Sequence, residues 1–140
     1  MIVLDTNVVS EPMRASGGDT TVVQWLDRQD AGSLYLTSVS LAELLLGVAA
    51  LPAGRRRGTL ATALQALMKK LFEGRILSFD QDAAVRFADM LAKTRTKGSA
   101  VSFADGQIAA IASCHGFAVA TRDRQPFEAC GVRVIDPWHP

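Results

Sequence analysis

The strongest constraint on the fold of this 140-residue chain is an alternation of short apolar runs with longer helical patterns. Met1–Leu4, Ser33–Thr37 (SLYLT), Arg75–Phe79 (RILSF), Phe117–Thr121 (FAVAT) and Val132–Ile135 (VRVI) have the length and residue types of buried strands. Between them the apolar period becomes helical. Leu60, Leu64, Leu67, Met68, Leu71 and Phe72 recur at i, i+4, i+7. Ala84, Phe87, Ala88 and Leu91 repeat the pattern, and Ile108, Ile111 and Ala112 mark a further helix that Gly116 would end. Such alternation predicts an α/β sandwich around a central, mainly parallel sheet of about five strands. Ala15–Asp19 (ASGGD), Leu51–Gly58 (LPAGRRRG) and Lys97–Ser99 (KGS) are the expected loops. With 49% hydrophobic and 21% charged residues, a single domain over 1–140 can bury a core without covalent staples.

Several function classes fall away. Cys114 and Cys130 are too few for a disulfide framework or a zinc cluster, and read as buried thiols in a reducing compartment. His115 and His139 are isolated, without ligand spacing, and His115 beside Gly116 reads as a cation at a helix C-terminus. No nucleophile elbow is present, and Gly17-Gly18 precedes no P-loop lysine. The first residues carry no basic leader, and Asp5 interrupts their apolar run. No apolar stretch approaches the roughly 20 residues that span a bilayer, so a cytoplasmic protein is expected. A net charge of +1 does not favour broad, non-specific nucleic-acid binding. Arg55, Arg56 and Arg57 form a short basic run, open between a solvated loop and a phosphate contact.

The carboxylates are more informative, because ligand sites in parallel sheets form beyond the carboxyl ends of the strands. Asp5 directly follows the first run, with Thr6 and Asn7 available to cap the helix after it, so Asp5 has no evident structural duty. Asp80 follows the third run and reads as a helix N-cap. Glu43 stands three residues after Ser40, the spacing of a capping box, yet it also heads an apolar face with Leu46, Gly47 and Ala50. Asp105 heads the Ile108, Ala109, Ala112 stripe in a first turn, where the helix dipole alone would favour an acid. Half-buried acids repel one another unless a cation joins them, and a hard divalent ion with oxygen ligands does so. Convergence of Asp5, Glu43 and Asp105 would therefore imply metal-assisted phosphoryl chemistry.

MIVLDTNVVSE, TSVSLAELLLGVAALPAGRRR, SFADGQIAAIASCHGFAVATRD and GVRVIDPW, in this order over nearly the whole chain, resemble the PIN-domain nucleases. The closest likeness is to the VapC-type toxins of bacterial toxin–antitoxin pairs, in the FitB-like branch. The resemblance implies a three-layer sandwich and acids that bind magnesium or manganese and hydrolyse RNA, leaving a 3′-hydroxyl and a 5′-phosphate. Asp5, Glu43 and Asp105 match the three acids, and Thr6 and Asn7 match the polar pair beside the first. Asp5 would be the central metal ligand, Asp105 would bind metal directly or through water, and Glu43 would hold a metal-bound water or orient the attacking hydroxide. A homodimer held by a cognate antitoxin is the implied assembly.

One segment departs from the family pattern. Relatives often carry Asn followed three residues later by Asp-Phe, where this chain reads Thr121-Arg122-Asp123-Arg124-Gln125-Pro126-Phe127. Pro126 supplies neither charge nor donor. Asp123 is thus the fourth candidate acid, open between a place at the metal site and a cap for the turn before Phe127, while Glu128 is expected to face solvent. A magnesium-dependent phosphatase would need a second Asp two residues after Asp5, where Asn7 stands. A binding module without catalysis is disfavoured by the three matching acids. The Leu44–Leu46 run and the Leu60–Leu71 stripe leave apolar surface for an antitoxin segment or a second copy of the chain.

Overall fold

A computed structural model describes residues 1–140. Five strands form, β1 (Ile2–Leu4), β2 (Leu34–Thr37), β3 (Ile76–Leu77), β4 (Ala118–Ala120) and β5 (Val134–Ile135), each inside a predicted run. They make one sheet in the order β3-β2-β1-β4-β5, and every neighbouring pair is parallel. The helices are α1 (Thr6–Val9), α2 (Thr20–Asp27), α3 (Ser38–Ala49), α4 (Arg55–Leu71), α5 (Gln81–Thr96), α6 (Phe103–His115) and α7 (Arg124–Ala129). The chain runs outward from β1 to β3, then returns to place β4 on the other side of β1. That reversal opens a crevice beyond the carboxyl ends of β1 and β4.

Both faces of the sheet are covered, which makes three layers. Successive strand residues point to opposite sides. Leu4 and Ala120 join one core with Val22, Leu44, Leu64 and Phe72, whereas Val3 and Val119 join a second with Leu91, Ile108, Ala109 and Phe127. Burial on both faces explains why the strands read as continuous apolar runs rather than as alternating ones. Asp80 caps α5, accepting from the Ala83 N–H at 2.9 Å, and Gly116 ends α6 at φ 68°, as expected from sequence. No helix is long and apolar enough to cross a membrane.

Three expectations need correction. Leu51–Gly58 is not one loop, because α4 begins at Arg55 and takes the three arginines into its first turn. The inner stripe of α5 is Ala83, Phe87, Met90, Leu91 and Thr94, with Ala84 and Ala88 exposed. Alanines carry too little apolar area to set the rotation of a helix, and the larger Met90 and Leu91 decide it. Finally, neither thiol is fully buried: Cys130 is half-buried, and Cys114 is exposed on the outer side of the last turn of α6.

Candidate active site at the carboxyl edge of the sheet

Asp5 continues β1 by one residue, its N–H donating to the Ala120 carbonyl at 3.0 Å. It is only 6% exposed. Its Oδ1 accepts from the Thr6 N–H at 2.8 Å, and its Oδ2 accepts from the Thr121 hydroxyl at 2.7 Å and from Asn7 Nδ2 at 3.1 Å. Asp5 is therefore the N-cap of α1, contrary to the expectation that it has no structural duty. Thr6 and Asn7 already lie inside the helix, so neither can cap it. Burial raises the Asp5 pKa from the ordinary 3.8 to about 6, against the opposing hydrogen bonds from Thr121 and Thr6, and the charges of Asp105 and Glu43 add to the rise.

Thr121 is a site residue that the sequence reading did not single out. It follows β4 and stands across from Asp5, one step beyond the paired Leu4 and Ala120. Besides donating to Asp5, its hydroxyl accepts from Asn7 Nδ2 at 3.2 Å and from the Asp123 N–H at 3.1 Å. Asn7 Oδ1 accepts from the Arg122 N–H at 3.3 Å. Asn7 and Thr121 thus lock the ends of the two central strands around one carboxylate. Arg122 lies beside this lock, its guanidinium 5.4 Å from the centre of the Trp138 ring.

Glu43 does not close a capping box. Thr37 caps α3 by accepting from the Ser40 N–H at 3.0 Å, which places both Ser40 and Glu43 inside the helix. Nor does Glu43 point to the core: Leu46, Gly47 and Ala50 form an exposed face, and Glu43 is exposed with them. Its Oε1 accepts from the Thr6 hydroxyl at 3.0 Å, which ties it to the residue next to Asp5. Asp105 is placed as its stripe predicts. It is half-buried in the first turn of α6, above the fully buried Ile108, Ala109 and Ala112, and its N–H donates to the Ser102 cap at 3.1 Å. Gly106 sets how closely α6 lies on α5, since a Cβ there would meet Leu91 Cδ1 at 2.6 Å.

Asp123 occupies the N-cap position of α7, but its exposed side chain makes no capping bond. Whereas Asp105 and Glu43 press their charge on Asp5, Asp123 reaches the Thr121 hydroxyl only by its backbone N–H, and its carboxylate bonds to nothing around Asp5. Glu128 faces solvent and pairs with Arg124 at 2.7 Å. A further carboxylate, Glu11, had no sequence signal. It is 2% exposed, accepts from the Asp19 N–H at 2.7 Å and pairs with Arg14 at 3.3 Å, holding the Gly17-Gly18 loop against the turn Glu11–Met13.

No three acidic, histidine or cysteine side chains close a metal cage by themselves. The candidate ligands, the carboxylates of Asp5, Glu43 and Asp105, nonetheless offer only oxygens, and no cation neutralises Asp5 or Glu43 by an ion pair. That set fits magnesium or manganese, which take one or two carboxylates and complete their shell with water and phosphate oxygens.

Residues 2–131 match the PIN domain family. The chain is 48% identical over 140 residues to VapC ribonuclease Y4jK of Sinorhizobium fredii, covering 100% of this chain and 99% of the relative. It is 44% identical over 139 residues to toxin FitB of Neisseria gonorrhoeae, covering 99% of each. A crystal structure of FitAcB from Neisseria gonorrhoeae is similar with a TM-score of 0.94 and 44% identity, over 100% of both chains. With its parallel sheet, its crevice acids and these relatives, the chain belongs to the PIN-domain family, among the VapC- and FitB-type proteins.

Proposed function

We propose that this protein is a magnesium- or manganese-dependent endoribonuclease, acting as the cytoplasmic toxin of a toxin–antitoxin pair and assembled as a homodimer with its antitoxin. The observation that carries the enzymatic reading is Asp5, a buried carboxylate at the crevice whose pKa is raised to about 6 and which no cation of the chain neutralises. A group kept this way costs folding energy, and such groups concentrate at functional sites. The names and near-complete coverage of the relatives support the toxin and ribonuclease assignments.

Asp5 and Asp105 would hold the ion, with Glu43 at its edge and Asp123 as a further acid on the Thr121 side. Bound there, the ion would acidify water and offset negative charge on the phosphate oxygens. The chain's own residues do the rest. Thr6, Asn7 and Thr121 fix Asp5 with three hydrogen bonds, which leaves part of Oδ1's acceptor capacity free. The Thr6 hydroxyl holds Glu43 by Oε1, leaving Oε2 free to orient an attacking water and take its proton.

Titration calorimetry with magnesium or manganese, beside an RNA cleavage assay, tests the proposal. Cleavage should require the divalent ion, and Asp5→Asn should lose both binding and cleavage. Cleavage by Asp5→Asn at the wild-type rate overturns it. Metal binding without cleavage of any RNA would instead favour a binding module.

A further inference from the structure

Thr6 and Glu43 serve two neighbourhoods. They touch each other beside Asp5, and both also line a cleft of about 740 Å³ between α3, the start of α4 and the segment after α1. Arg14, Arg55 and Arg56 line the same cleft, together with the apolar side chains of Leu44, Val48 and Leu60. Resting on the ribonuclease reading, we propose that this cleft seats the nucleotides next to the cleaved bond of a single-stranded RNA. Arg55 and Arg56 hold backbone phosphates, and the Leu44–Val48–Leu60 wall receives an unstacked base.

Charge is the first argument. Arg55 and Arg56 are exposed, and neither forms an ion pair or a side-chain hydrogen bond within the chain. Glu43 is the one acid in the lining, and it is bonded to Thr6 rather than to an arginine. The arginines gain nothing from their own helix either, because the positive end of its dipole opposes a cation there. A run of cations that the fold does not use is offset when a polyanion lies along it. Arg14 differs: its pairing with the buried Glu11 holds it at the cleft wall.

Continuity is the second argument. A strand with its reacting phosphate at Asp5 passes Thr6 and Glu43 before it reaches the cleft, so the two sites are one path. The apolar wall decides which nucleic acid fits. Bases in a duplex are stacked and paired, whereas a single strand can turn a base onto an apolar surface while its phosphates meet arginines. The net charge of +1 also requires that any affinity come from local cations rather than from the overall field. Arg57 provides an internal contrast, since it lines a separate cleft between α3, α4 and β3.

The test uses the full chain carrying Asp5→Asn to stop cleavage, and a short labelled single-stranded RNA of mixed sequence over a series of salt concentrations. Arg55→Ala and Arg56→Ala should each lower the salt slope by about 0.7, the double variant should bind about tenfold more weakly, and Arg57→Ala should match its parent. The same RNA in duplex form should bind worse than the single strand. With Asp5 restored, the double variant should raise KM and largely keep kcat. RNA binding equal among Arg55→Ala, Arg56→Ala and Arg57→Ala overturns the cleft assignment while leaving the ribonuclease reading standing. So does a double variant that keeps RNA affinity but loses a protein encoded beside this gene, because the cleft is then that protein's. An Asp5→Asn chain that does not bind RNA, together with a wild-type chain that does not cleave it, removes both proposals together.

Discussion

The two faces of the sheet are finished differently. On one, α6 is almost sealed: Gly106, Ile108, Ala109, Ala110, Ile111 and Ala112 are all buried. On the other, α3 buries only Ser40 and Leu44, and α4 only Leu64. Leu45 and Leu46 on α3 remain 52% and 69% exposed. Each face contributes one acid to the crevice, Asp105 from the sealed helix and Glu43 from the open one. A sealed helix is itself fixed by packing, and so sets where the half-buried Asp105 starts from. An open helix leaves its acid dependent on a single hydrogen bond from Thr6, and leaves its surface available to bind something. The pairing suits a site that needs one rigid wall and one accessible wall.

The largest expected contrast is in stability. Ile108→Ala, at a fully buried position on the sealed face, should cost about 2–5 kcal/mol, because it removes apolar contact and leaves a cavity. Leu46→Ala on the open face should stay within about 0.5 kcal/mol of the parent. Chemical denaturation of both variants checks this, and equal losses would break the comparison.

Asp5, between the two faces, should make stability depend on pH. Its pKa is raised from 3.8 to about 6, so the folded state keeps its proton where the unfolded chain has released it. This contribution is fully present below pH 3.8 and is lost as pH rises through about 6, a fall of about 3 kcal/mol in the metal-free protein. Asp5→Asn lacks that titration. Relative to wild type, the variant should therefore gain about 2 kcal/mol between pH 4 and pH 7. A difference that does not change with pH would show that the Thr121 and Asn7 hydrogen bonds compensate for burial.

A smaller effect should separate packing from chemistry on the sealed face. Gly106→Ala forces Leu91 and Phe87 to move, which typically costs 1–3 kcal/mol, roughly, while helix propensity returns about 1. The net loss should be modest, yet α6 shifts and carries Asp105 with it. Cleavage should fall more than the melting temperature suggests. If activity simply tracks stability, packing does not position Asp105. The smallest effect belongs to Asp123→Asn. With no capping bond to lose, melting should be unchanged, and any loss of metal affinity would then report a role at the site.

Much of the scaffold was legible in the sequence because it follows from local periodicity. All five strands lie inside their apolar runs, Asp80 caps where it should, and α6 carries Asp105 above its apolar stripe, since Ile108, Ala109 and Ala112 repeat with the helix itself. The family-matching segments also contain three candidate acids, Asp5, Glu43 and Asp105. The roles around them were less visible. Whether Ser40 opens a capping box depends on where α3 begins, and Thr37 sets that start. Whether Glu43 faces inward depends on which side of α3 meets the sheet, and that side is Leu44. The Thr121 hydroxyl bonds a carboxylate 116 residues earlier in the chain, through the pairing of β1 with β4. The burial of Glu11 likewise arises from a loop folding over it. The sequence alone therefore determined the elements, because hydrophobic period and turn chemistry act over a few residues. Only the tertiary structure decided which polar atoms share a crevice and how far Asp5 is desolvated, because those depend on contacts between segments that local pattern does not encode.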